Sequence, residues 1–191
     1  MSFKAFFLEE SQYTDSQLPE KAINPFAERG VFRKRVLITH HNEPALILRI
    51  FVGTDEDGFL LEQCFSQLLL NSKTLAILYG QHVHLFNLAS HEVKSHFLDD
   101  YAGDLYPVPD SSSAWLSETF LATTFCYTFL INIDKGIIWR SAQCAIDGIV
   151  INDIREEVIY GSGEWDPPGG WRPFMLSMAT GELINIGNME Q

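Results

Sequence analysis

A chain of 191 residues, 46% hydrophobic and 13% aromatic, suits a single domain with a sizeable core and excludes global disorder. Its formal charge of −12 is uneven: residues 1–73 carry ten acids against eight bases, and residues 74–191 carry fifteen against five. Such a surface repels phosphate backbones, which excludes direct nucleic-acid binding, and it favours encounter with a basic partner in a salt-sensitive way.

Phe3-Lys4-Ala5-Phe6-Phe7-Leu8 is apolar enough for a strand on a sheet edge, but too short for a secretory signal, and it ends in Glu9-Glu10. No run approaches the roughly 20 apolar residues that span a bilayer. Residues 11–30 are polar and interrupted by Pro19 and Pro25. They are expected to form a covering segment, with a helical turn around Glu20 to Ala22. Cys64, Cys126 and Cys144 are odd in number and widely spaced, as in a cytosolic protein with reduced, buried thiols.

The β signal begins at Val31. Residues 36–40 and 45–52 are β-rich runs around the turn-forming Asn42-Glu43-Pro44, and Asp55-Glu56-Asp57-Gly58 turns the chain into the apolar run 59–70. Helical spacing fits that run too; strand neighbours favour strand. Residues 31–73 are therefore read as a β-meander.

From residue 74 a pattern recurs. His84-Leu85-Phe86-Asn87-Leu88, Phe129-Leu130-Ile131-Asn132-Ile133 and Phe174-Met175-Leu176-Ser177-Met178 align at two successive offsets of 45 residues. Each is an apolar strand leading into a short turn and a second strand. The first copy places strands at 75–79, 82–88, 93–98 and 104–108; the second at 120–124, 127–133, 137–141 and 149–152; the third at 158–160, 173–178 and 183–186. A period in the mid-forties with four short strands per unit resembles the blades of β-propeller repeat proteins, in the broad WD-repeat and quinoprotein-like sense, over about residues 74–186. The resemblance implies an all-β fold: a partial, open propeller-like array of about three four-stranded antiparallel blades capped by the N-terminal meander. The alternative is a degenerate four-bladed propeller in which residues 31–73 supply the fourth blade. It implies no catalytic residue and no cofactor. The Trp-Asp dipeptide of WD repeats is absent at Leu88, Ile133 and Met178.

Catalytic patterns are sparse. His82 and His84 share one strand face and could join His96 around a metal, but three or four converging ligands are needed and half-buried histidines are the simpler reading. The cysteines lie in apolar runs of an acidic protein, which does not lower a thiol pKa. Asp99-Asp100 and Glu156-Glu157 point oppositely on extended chain, so neither pair suits hydrolysis. The most singular segment is 161–172, with Trp165, Trp171, Pro167, Pro168 and four glycines. Tryptophans give large contact area at little entropic cost, and acids surround them. Asp153, Glu156, Glu157, Glu164, Trp165, Asp166 and Trp171 are thus the expected partner-binding residues; the competing role for the loop is to plug the open end of the array. The expected function is a non-enzymatic, cytoplasmic protein-binding module that masks a basic partner, most concretely an immunity protein neutralising a nuclease toxin. The alternatives are a small metal-dependent hydrolase or ligand binder, and a subunit of a larger assembly.

Overall fold

The computed structural model describes residues 3–9, 17–109, 116 and 118–184. Among them there is no α-helix; fifteen strands form four small sheets, none closed on itself, so the class is all-β. The chain divides into two compact units, Met1–Phe97 and Leu98–Gln191.

In the first unit β1 (Phe3–Leu8), β3 (Val31–His40), β4 (Glu43–Val52) and β2 (Glu20–Ile23) make one sheet, in the order β1-β3-β4-β2. The β3–β4 hairpin closes through His41 and Asn42, both left-handed (φ 52° and 66°), the backbone that a two-residue turn requires. Pro44 falls inside β4 rather than in the turn. Glu20 to Ala22 is strand and not a helical turn, and β2 runs parallel to β4 from Glu20–Ile47 to Ile23–Ile50. The long-range ladder decides there; four residues are too few for a helix to hold alone.

The second sheet is an antiparallel meander of β5 (Ser66–Leu70), β6 (Thr74–Tyr79), β7 (His82–Asn87) and β8 (Val93–Phe97). Alternate residues of both sheets meet in one core: Val36, Ile38, Leu48 and Ile50 from the first, with Leu75, Ile77 and Phe86 from the second. β6 and β7 are buried on both faces, which matches the apolar run 75–79 of β6.

In the second unit β9 (Ala102–Pro107), β10 (Thr119–Thr124), β11 (Thr128–Asn132) and β12 (Gly136–Arg140) form another four-stranded meander. β13 (Ile149–Arg155), β14 (Val158–Glu164) and β15 (Trp171–Ser177) form a three-stranded one, with a single further bridge between Leu176 and Leu183. Leu121, Leu130, Ile151, Ile159, Leu176 and Met178 are among the residues of its core.

Most strands fall where the pattern put them. Of the expected strand 183–186 only Leu183 makes an isolated bridge, with 185 and 186 outside the described residues. Each of the last three sheets begins one strand earlier. Residues 66–70 open the second sheet instead of ending the N-terminal meander, 102–107 opens the third, and 149–155 opens the fourth. The last sheet has three strands among the described residues, not four.

The three turns at 45-residue spacing share their geometry. His91 donates its N–H to the Asn87 carbonyl at 2.9 Å and Asn87 donates to Glu92; Gly181 to Ser177 at 2.8 Å and Ser177 to Glu182 repeat both bonds. Asn87 and Asn132 each accept two turn N–H groups on the side-chain oxygen, at 2.9 to 3.0 Å. Backbones at His91, Gly136 and Gly181 are all left-handed, with φ of 58°, 83° and 71°.

Candidate partner-binding surface

The seven expected contact residues fall into two groups at the two ends of β14. At one end Arg155 pairs with Val158, leaving Glu156 and Glu157 as a two-residue turn. Both acids are exposed and both are left-handed, with φ of 52° and 60°. That conformation favours Asn-Gly, and Cβ crowding costs roughly 1–2 kcal/mol for each other residue. Asp153, beside them, accepts the Ile154 N–H and sits 3.4 Å from the Arg155 guanidinium, which lies over the Tyr160 ring. Below the turn is a pit of about 220 Å³, lined by Val108, Leu116, Ile154 and Met178 together with Arg155, Glu156 and Glu157. An apolar pit edged by carboxylates suits a long cationic side chain, whose stem buries while its charge stays at the rim.

At the other end the β14–β15 ladder closes on Glu164–Trp171. Trp165 N–H reaches the Gly170 carbonyl at 3.0 Å, and the Glu164 carboxylate accepts the Gly169 N–H at 2.6 Å. The loop is therefore tied by its own backbone into a tight hairpin tip. Asp166 is exposed, Trp165 half-buried and Trp171 44% exposed, its ring lying beside Gly148. Seven strand residues separate the tips, about 20 Å at the rise of a β-strand. The structure does not gather the seven residues into one patch; two acidic tips share one strand.

The other candidate residues disperse. His82 and His84 stack at 5.7 Å between ring centroids, and His84 Nδ1 lies 2.8 Å from Ser95 Oγ. Burial holds both imidazoles neutral, lowering His82 to about 4 and His84 to about 3. His96 pairs with Val83, between them in sequence, so it occupies the opposite face of the sheet. Among the described residues no three His, Cys, Asp or Glu side chains are grouped to hold a metal ion. Asp100 spends its carboxylate on the N–H groups of Tyr101 and Cys126, and Asp99 lies 3.8 Å from Arg140. Burial, reinforced by Asp100, pushes the Cys126 thiol up to about 11, and burial raises Cys144 too. Cys64 is exposed and not buried as expected, because residues 61–65 are irregular chain rather than strand.

One polar cluster has no sign in the sequence. The Glu62 carboxylate lies 2.6 Å from Arg33 Nε and also accepts the Tyr79 hydroxyl, beside a cleft of about 390 Å³ that includes Cys64. Burial, then the bond to Glu62, raises the Tyr79 pKa. Residues 33, 62 and 79 lie on separate elements, and no spacing rule joins them.

No protein-family model matches the chain, and no curated protein matches it in sequence.

Proposed function

We propose that this chain is a non-enzymatic binding module, working in the cytoplasm, whose acidic second unit masks a basic protein, most concretely as an immunity protein against a nuclease toxin. The carrying observation is the charge division. Leu98–Gln191 holds fourteen acids against four bases, a net of −10 of the chain's −12. Nucleases that grip phosphates are basic, so an acidic cover imitates their substrate and steers fast association. The apolar pit beneath Glu156 and Glu157 gives one tip an anchor for a lysine or arginine of the partner.

Three meanders with matching turns support a reading as blade-like modules, each presenting a hairpin tip as a contact point. The hydrolase reading has less support, since His96 and the His82–His84 pair face away from each other.

The test is capture of a basic protein from the same cell, at low and high salt. Retention at low salt, slowed association about tenfold on Glu156→Lys with Glu157→Lys, and restored toxin activity for that variant are the expected outcomes. Failure to retain any basic protein at any ionic strength would overturn the proposal.

A further inference from the structure

The first unit has two sides that differ. On one, β1 runs alongside β5. On the other, β2 and β8 each end their sheet, and among the described residues neither has a strand on its outer side. Between them lies a groove of about 760 Å³, lined by Lys21, Ala22 and Ile23 from one wall and Val93, Lys94 and Ser95 from the other, continued by Asn24, Pro25 and Glu92.

Both walls turn backbone toward the groove. Ile47 donates its N–H to the Pro19 carbonyl, which starts the β2–β4 ladder at residue 19. In a parallel ladder alternate residues bond the neighbour, so Lys21 and Ile23 face β4 while the amides of Ala22 and Asn24 face outward. Asn87 donates to the Glu92 carbonyl, which sets the phase of the β7–β8 ladder. Lys94 and His96 then bond β7, and the amides of Val93, Ser95 and Phe97 face outward. Each wall thus carries a row of outward backbone groups, a template for an added strand.

The lining also selects. Ile23 and Val93 belong to the core side, so inward residues of an added strand must be apolar. Lys21 and Lys94 against Glu92 make the groove net positive in a chain of net −12. We infer that the β2–β8 groove is a strand-addition site for an extended segment of a partner protein that alternates apolar and acidic residues. This site is separate from the acidic tips of the second unit and stands whether or not those tips grip a basic partner.

The probe is a capped, fluorescent peptide of about eight residues alternating valine and glutamate, read by anisotropy against the intact chain. Expected results are saturable binding, a loss of about tenfold or more when alternate amides are N-methylated, and weaker binding when lysine replaces glutamate. Ala22→Pro removes an outward amide at an exposed edge position and should abolish binding without lowering the melting temperature. Lys21→Glu should weaken binding about tenfold and covers the case in which the proline variant does not fold. Equal binding of the N-methylated peptide, or no binding by the folded wild-type chain, would overturn the inference. So would a concentration-dependent dimer of the chain alone that Ala22→Pro dissolves, because the groove would then belong to a second copy.

Discussion

The two units use the same hairpin grammar and fill it differently. Met1–Phe97 contains all six histidines and nine of the thirteen lysines and arginines; Leu98–Gln191 contains all four tryptophans and nine of the thirteen glycines. In the first, branched and aromatic side chains from two sheets interdigitate, so its stability rests on filled volume. In the second, glycines let loops come close to strands: a Cβ on Gly163 would lie 2.0 Å from the Cys144 carbonyl oxygen, and one on Gly181 2.5 Å from the Trp139 ring. Trp139 also donates its indole N–H to the Met178 carbonyl at 2.9 Å. Close approach there adds to the buried apolar core that both units have.

That contrast can be broken from either side. Phe86→Ala, which empties a fully buried site in the first unit, should cost about 4 kcal/mol by denaturant titration. Gly163→Ala, which adds a single carbon in the second, should cost about 3 kcal/mol, because backbone must move to admit it. A neutral Gly163→Ala would remove the close-approach account.

Acid should act on the first unit before the second. His82 and His84 are neutral in the fold, near pKa 4 and 3, and protonate near 6.5 once unfolded. The unfolded chain thus binds more protons below pH 6.5, so stability present above that value is lost as pH falls toward 4. A drop of roughly 5 °C in melting temperature between pH 7 and 5 is expected, with His82→Gln and His84→Gln together flattening it. An unchanged slope in that double variant would assign the loss to other groups.

Smaller still is the turn at Glu156–Glu157. Glu157→Gly relieves a left-handed acid and should raise stability by about 1 kcal/mol, while slowing association if the tip meets a basic partner. Finally, iodoacetamide should label exposed Cys64 first and spare Cys144, with Cys126 slow at pH 8 because its thiol is held near 11. Mass spectrometry of the labelled peptides reads that order.

The turns were the most legible feature of the sequence. Asn87, Asn132 and Ser177 mark a geometry made of local hydrogen bonds, so spacing alone located it. Sheet boundaries were not legible, since the run 59–70 carries the same residues whether it ends one sheet or begins the next, and long-range pairing of Ser66–Leu70 with β6 decides. β2 was invisible for a similar reason: Glu20-Lys21-Ala22-Ile23 has no period, and its partner lies 27 residues on. At the candidate surface, composition found the acids and tryptophans but could not show that β14 sets them at opposite ends.

The span from Asn87 to Glu92 acts as a ruler for everything after it. One residue more or fewer there would rotate β8 by half a period, turning Lys94 and His96 into the core and Val93 and Ser95 out of it. The same holds between Asn132 and Gly136 and between Ser177 and Glu182. A single-residue insertion or deletion at any of these three turns should therefore disturb a whole strand, whereas a substitution there disturbs only the turn.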